Sequence, residues 1–344
     1  MPVHPQVRFG VIGIDHPHIY GQTNALLKAG AELVSFYATE PDLIATFASA
    51  YPQARQVSSA DEILEDDTIH LIASAAIPDE RAPLGIRAMR HGKDYMSDKP
   101  GFVSLEQLAE VRRVQAETGR IYSIDYSERL EVPAAVKAGE LARAGAIGTV
   151  IQTIGLGPHR ARFHTRPDWF FRPERYGGII TDIGSHEADQ FLFYTGSTQA
   201  EVVASQVGNF KSPQYPDFED FGDLTLRGNG GMGYIRIDWY TPDGLDTWGD
   251  GRLFILGTEG YIELRKYTDI AGRAGGNHLF LVDQHGVQYI DCSDVALPYG
   301  PQLVSDVINR TETAMSQAHC FLASELALKA QAQAARLGFL KHKD

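Results

Sequence analysis

Over the first 125 residues, strand-like and helix-like segments take strict turns. Strands are expected at 7–12, 32–38, 69–75, 94–97 and 121–125, with helices at 19–29, 41–50, 81–91 and 104–118. The clearest helix is SLEQLAEVRRVQAETG. Leu105, Leu108, Ala109, Val111 and Val114 form its apolar stripe, Ser104 can cap its start and Gly119 can end it. A chain that alternates in this way is restricted to an α/β fold, a doubly wound parallel sheet with helices on both faces.

From about residue 150 the pattern changes. TVIQTIGLG, AEVVASQVGNF, DLTLRGNGGMGYIRIDWY, GRLFILGTEGYIEL and LFLVDQHGVQYIDC read as strands and hairpins, with Gly-rich turns between them. One strong helix interrupts them, at 181–194, and two more close the chain, at 302–311 and 318–337. The boundary is expected near Asp125. Residues 1–125 then form one domain and 126–344 an α+β domain with a large, mostly antiparallel, open-faced sheet; the final helix is free to pack back on the first domain. The uncovered face of such a sheet needs a cover, so a homodimer or homotetramer through it is expected.

Composition removes several function classes. With 44 acidic against 31 basic side chains the formal net charge is −13, which argues against nucleic acid or an anionic membrane as the main partner. The opening MPVHPQVRFG does not read as a secretory signal, and no apolar run is long enough to span a bilayer. Cys292 and Cys320 are the only cysteines, which fits two thiols in a reducing cytoplasm.

Four stretches could carry chemistry. In GVIGIDHPHIYG, residues 10–21, only Gly13 of a Rossmann Gly-x-Gly-x-x-Gly loop survives; Asp15 and His18 hold the other glycine slots. Three readings stay open there: an altered dinucleotide loop, a metal site using Asp15, His16 and His18, and a plain helix start capped by Asp15 with Pro17 in the first turn. YMSDKPG places Lys99 at the end of a late strand, where a ligand sits on a doubly wound sheet. In GGIITDIGSHEADQ, helical spacing puts Asp182, His186 and Asp189 on one face, a titratable imidazole with carboxylates to orient it. Gly177 and Gly178 just ahead suggest close packing. GPHRARFHTRPDWFFRPERYGG combines His159, Arg160, Arg162, His164 and Arg166 with Trp169, as a loop over a polar substrate would.

Together these stretches resemble the Gfo/Idh/MocA family, the glucose–fructose oxidoreductase and inositol dehydrogenase group. AAIPDERAPLGIRAMRHGKDYMSDKPG is similar to the family's strand, Pro, helix, Gly-Lys, strand and Glu-Lys-Pro passage. AGELARAGAIGTV is similar to its link into the second domain, and DWFFRPERYGGIITDIGSHEADQ to its Trp, Gly-Gly and Asp-x-x-x-His-x-x-Asp passage. The resemblance implies a Rossmann domain, a second domain whose sheet face mediates oligomers, and a nicotinamide cofactor. It makes Lys99, Asp182 and His186 catalytic. It puts Gly10, Gly13, Ile14, Asp15, His16, Thr39, Glu40, Ala76, Ile77, Pro78 and Asp98 at the cofactor. It puts Tyr126, His159, Arg160 and Trp169, with the catalytic trio, at the substrate. It requires no metal. Asp98 departs from the usual Glu, and Ala38 stands where an acid usually meets the adenosine ribose, with Glu40 two residues on as a substitute. No Arg or Lys is expected close by to welcome a 2′-phosphate, which points to NAD over NADP.

The expected function is thus NAD(P)-dependent oxidation of a secondary hydroxyl of a sugar, sugar derivative or cyclitol. Two alternatives remain: redox-neutral glycoside cleavage, elimination or sugar-to-sugar transfer with tightly bound NAD, and a metal-dependent sugar isomerase or hydrolase on Asp15, His16 and His18.

Overall fold

The structure is a computed structural model in which residues 6–338 are described. The chain forms two units: Met1–Asp125 with Pro298–Phe321, and Tyr126–Leu297 with Leu322–Asp344. The first holds six strands: β1 (Arg8–Ile12), β2 (Glu32–Tyr37), β3 (Arg55–Gln56), β4 (Leu71–Ser74), β5 (Asp94–Asp98) and β6 (Tyr122–Asp125). They lie in the order β3-β2-β1-β4-β5-β6, every pair parallel. Every residue of β4 and β5 is buried, as parallel strands covered on both faces require. The chain runs outward from β1 to β3 and then returns to β4, so the strand order reverses between β1 and β4. A crevice opens outside the carboxyl ends of strands at such a point.

Local signals explain the helices here. Ser104 Oγ accepts the Gln107 N–H at 3.2 Å to start the helix Leu105–Thr118, and Gly119 ends it in the left-handed region at φ 62°. Leu108, Val111 and Val114 are its buried side. The helix Tyr299–Asn309 joins this unit late in the chain: its Tyr299 hydroxyl meets Ser123 Oγ at 2.8 Å.

The second unit carries β7 (Val150–Pro158), β8 (Ala200–Gly208), β9 (Phe221–Gly228), β10 (Met232–Asp238), β11 (Arg252–Gly257), β12 (Tyr261–Arg265), β13 (His278–Asp283), β14 (Gly286–Asp291) and β15 (Ala335–Leu337). Their order is β14-β13-β12-β11-β7-β10-β9-β8-β15. Among the described residues only β7–β10 and β8–β15 of this sheet pair in parallel. Helices Pro133–Arg143 and Ser185–Thr195 lie on one face, the first over β12 and β13, the second over β7 and β10. Ala134, Ala135 and Ala138 pack there with Ile255, Ile262 and Leu264. Burial alternates along the strands, and the outer positions Tyr234, Leu256 and Tyr261 are 36–44% exposed, so the other face of the sheet is open.

The structure differs from the sequence reading at several helices, and three of them bear on the second sheet. Residues 318–337 were expected to be helical throughout. Instead the helix Gln317–Gln333 stops and Ala335–Leu337 pairs with β8. The unpaired backbone of the β8 edge captures a segment whose own sequence would continue a helix. Residues 181–194 are not one α-helix: a π turn, Ile180–Gly184, precedes Ser185–Thr195. Pro133–Arg143 is a helix that the pattern of strands left unassigned, started by Pro133 in its first turn.

Candidate active site

In the first unit the nucleotide loop leaves β1 through Gly13, at φ 78°. A Cβ there would lie 2.5 Å from Ala76 Cβ and 2.9 Å from Ala76 Cα, so only glycine lets the ends of β1 and β4 come together. The Gly13 N–H donates to Tyr37 O (3.0 Å), and the His16 N–H to Ala75 O (3.0 Å). A cleft of about 490 Å³ opens beside this junction, lined among others by Gly13, Asp15, Thr39, Glu40, Ala76 and Ile77. Burial, with Glu80 beside it, raises the Asp15 carboxyl. Arg87, from the helix Pro78–Arg90, also stands on the cleft wall and is ion-paired with Asp61 at 2.6 Å. The expectation that no basic residue lies near was correct only along the sequence. A glycine that a Cβ would jam, a switch-point cleft and an acid at its far wall fit a dinucleotide.

Three other expected cofactor residues, Gly10, Ile14 and Pro78, are not among the residues that line this cleft. Gly10 is a packing glycine, since a Cβ there would meet Ile63 Cγ2 at 2.4 Å. Ile14 is buried, and Pro78 opens its helix. Asp15 does not cap the helix His18–Lys28; Pro17 occupies the cap position without a side-chain bond.

His16 and Asp98 belong to a network in which Asp98 and Arg81 are buried and the histidines His16 and His18 are partly exposed. Asp98 Oδ1 accepts His18 Nδ1 and the Lys99 N–H, each at 2.8 Å. Asp98 Oδ2 lies 2.9 Å from Arg81 Nη2 and 3.4 Å from His16 Nδ1. Arg81, 1% exposed, also donates to Ala76 O at 2.7 Å and to the carbonyls of Lys99 and Pro100, so it ties the end of β4 to the end of β5. Burial alone would raise the Asp98 carboxyl; Arg81, with the hydrogen bond from His18, outweighs it and holds it well below the usual range. Burial, with His18 beside it, holds His16 well below its ordinary value and so neutral. The metal reading had grouped Asp15 with the two histidines; the structure groups them with Asp98, whose charge Arg81 already compensates. Lys99 follows directly, 5% exposed at the carboxyl end of β5, with a cis bond to Pro100. Sequence reasoning missed Arg81. The signal was present: it shares a helical stripe with buried Pro78, Ala82, Gly85 and Met89, where a charge stays only if paired.

In the second unit, Asp182 lies in the π turn and His186 in the first turn of the helix that follows. Single π turns recur at functional positions. His186 is 1% exposed, edge-on to Tyr126 with ring centroids 6.3 Å apart. Tyr126 is fully buried with its hydroxyl at 2.9 Å from Ser324 Oγ, so it backs the imidazole. Asp189 leaves the expected trio: both its oxygens pair with Arg129, at 2.6 and 2.8 Å. Gly178 does mark close packing, because a Cβ there would sit 2.3 Å from Gln331 Cδ. His159 packs against Trp239 and Trp248, at 5.4 and 4.6 Å between centroids. The Arg160 guanidinium is held by the carbonyls of Pro242 and Leu245. Trp169 lies half-buried in the short helix Asp168–Phe171.

Beneath His186 lies a trio that the sequence reading did not include. Lys266 Nζ is 2.6 Å from Glu128 Oε2 and 3.6 Å from Glu187 Oε1, and all three side chains are at most 2% exposed. Gly155 makes room for it, since a Cβ there would sit 2.3 Å from Glu187 Oε2. One ammonium serves two buried carboxyls, so the nearer one ionises and the other keeps its proton. Burial, with Glu128 beside it, pushes Glu187 up to about 8. A carboxyl raised by folding favours the fold below its ordinary pKa, and that contribution is lost as pH rises toward about 8. The wild-type melting temperature is therefore expected to fall more steeply than that of Glu187→Gln between about pH 5 and about pH 8. Parallel melting curves in thermal denaturation would refute the assignment.

With this geometry in hand, the comparisons decide the family. Residues 7–126 match the oxidoreductase family with an NAD-binding Rossmann fold, and residues 135–263 match the GFO/IDH/MocA C-terminal domain. The chain belongs to the GFO/IDH/MocA family of oxidoreductases. A crystal structure of a putative oxidoreductase from Erwinia carotovora atroseptica superposes on this family member with a TM-score of 0.94. It is 48% identical and covers 96% of this chain and 100% of its own. Among curated relatives, 1,5-anhydro-D-fructose reductase of Ensifer adhaerens is 26% identical over 57% of this chain and 59% of its own length. A D-xylose dehydrogenase of Paenarthrobacter nicotinovorans matches over 42% of this chain and only 38% of its own length, at 26% identity. scyllo-Inositol 2-dehydrogenase (NAD(+)) of Bacillus subtilis is 25% identical over 75% and 73%. No helix among the described residues is long and apolar enough to cross a membrane, and both cysteines are free and buried.

Proposed function

We propose that this GFO/IDH/MocA protein oxidises a secondary hydroxyl of a sugar, sugar derivative or cyclitol with NAD. The cleft at Gly13, Thr39, Glu40 and Ala76 would hold the nucleotide, whose nicotinamide would supply the hydride acceptor for the carbinol carbon. His186 takes the hydroxyl proton and Asp182 steadies the resulting imidazolium. Lys99 donates to the substrate oxygen and favours developing negative charge on it. The observation that carries the reading is Lys99, held nearly buried at the carboxyl end of β5 by the Asp98–Arg81 network beside a nucleotide-sized cleft. Glu40 at that cleft supports NAD, because its carboxylate would repel a 2′-phosphate. The test is a screen of sugars, glycosides, sugar acids and inositols with NAD and NADP, followed by absorbance of the reduced cofactor. No reduction with any of them would sink the reading.

Self-association through the open sheet face belongs to the same proposal. Tyr234, Leu256 and Tyr261 form an exposed apolar surface across β10, β11 and β12. Leu256→Asp would bury a charge in that interface, and light scattering is expected to show a smaller species than wild type. An unchanged mass would place the contact elsewhere.

A further inference from the structure

A second cavity lies wholly within the second unit, between the loop that follows β7 and the loop that follows β10. It encloses about 290 Å³, and Arg160, Arg162, His164 and Lys211 stand on its wall. Two carboxylates are also present. Asp243 is 98% exposed at the rim. Asp220 is buried and has four donors: the N–H groups of Phe210 and Lys211 (2.8 Å each), Ser212 Oγ (3.0 Å) and the Tyr240 hydroxyl (2.5 Å). Its acceptor capacity is filled by the frame that shapes the cavity. Arg160 is spent in the same way on two loop carbonyls, whereas Arg162 and Lys211 have no ion pair among the described residues.

Two buried groups point to a ligand. Trp239 and Thr241 line this cavity at 6% and 8% exposure, and neither the indole Nε1 nor the threonine Oγ1 has a hydrogen-bond partner among the described residues. Unpaired buried donors are costly, so each such case in a folded protein needs a reason. Arg162 adds a third observation: its backbone is left-handed at φ 46°, a conformation that a side-chain-bearing residue rarely keeps without one. The wall therefore offers donors and positive charge to a ligand that brings acceptors and negative charge. Trp239 also links the cavity to the candidate reaction site. Its ring packs on His159 at 5.4 Å and under the Arg166 guanidinium at 5.1 Å, and Asp182 is among the charges that act on Arg166.

We propose that this cavity binds the carboxylate or phosphate of an acidic sugar, making the substrate class of this protein anionic carbohydrates. The proposal rests on the dehydrogenase reading above. A neutral sugar would leave Arg162 and Lys211, both exposed, to water and would bring no charge to meet theirs, and a cationic one would meet like charge; the two buried donors want an acceptor. The volume suits one anionic group with a few carbons, not a nucleotide sugar.

Tryptophan emission gives a readout independent of turnover, because two of the three tryptophans, Trp239 and Trp248, lie in this region. Full-length protein is titrated with glucuronate, galactonate, glucose 6-phosphate and glucose. At least one anion is expected to change the emission saturably, at least tenfold more tightly than glucose, and more weakly as salt is added. The sugar acids and the phosphate ester separate the two anion sources. Arg162→Gln with Lys211→Gln is expected to remove most of that preference, with NADH binding retained as a check on folding. Glucose binding as tightly as the anions, or no response to any anion, overturns the proposal. The outcomes for the two readings separate in NAD reduction assays. Neutral sugars oxidised in preference to acidic ones sink the anionic cavity and leave the dehydrogenase standing. Anions that bind while no sugar, acidic or neutral, is oxidised, by protein that binds NADH, keep the cavity and sink the dehydrogenase.

Discussion

Replacing His186 with asparagine is expected to lower turnover by about 10²–10⁴-fold, the usual worth of general acid–base assistance, with NAD affinity unchanged. Asparagine keeps much of the volume and the polarity of the imidazole but cannot take a proton near neutral pH. The surroundings fix the ring in place, as a base would need: it is 1% exposed, Tyr126 stands edge-on to it, and Ser324 meets the Tyr126 hydroxyl. Lys99→Met is expected to lose activity on the same scale, because it keeps an apolar stem and removes the donor to the developing alkoxide. The two losses should combine to less than their product if both groups serve one transition state. Single-turnover rates with saturating NAD, beside NADH titration, read both quantities. Full turnover by His186→Asn on the true substrate would remove the histidine from the mechanism.

The largest expected effect on stability comes from Lys266. Lys266→Met leaves Glu128 and Glu187 buried without their cation, and breaking a buried ion pair from one side costs about 3–5 kcal/mol. Burial opposes ionisation of Glu128, yet Lys266, with His186 and His159, holds that carboxyl well below its ordinary value, so the lost charge is one the fold depends on. Adding Glu128→Gln and Glu187→Gln to Lys266→Met should recover most of the loss, since the uncompensated charge is then gone. Urea denaturation of the three proteins measures this. A single Lys266→Met variant as stable as wild type would mean that the carboxyls accept protons at little cost.

Much of the fold was legible before any coordinates. Alternating strands and helices specify a parallel sheet, and the glycine turns after 228, 257 and 284 specify the hairpins of the second sheet. Gly13 announced the loop. The misread elements share a cause. Ala335–Leu337 has no local preference strong enough to resist an open strand edge, and the π turn at Ile180–Gly184 has no sequence mark distinct from a helix. Asp189 looked like a third member of the polar helix face until Arg129 claimed both its oxygens.

By itself, then, the sequence determined most of the order and kind of the secondary structure, and it singled out Gly13 as the candidate nucleotide loop and Lys99 and His186 as candidates for proton chemistry. Periodicity, turn chemistry and glycine sterics are properties of neighbouring residues, and they can be read along the chain. Only the tertiary structure decided which charges answer one another. His18 reaches Asp98 across 80 positions and Lys266 reaches Glu128 across 138, and it joined the unpaired donors of Trp239 and Thr241 to the basic loop of Arg162. The energy of a buried polar group depends on what burial brings beside it, and that partner is set by packing rather than by sequence distance.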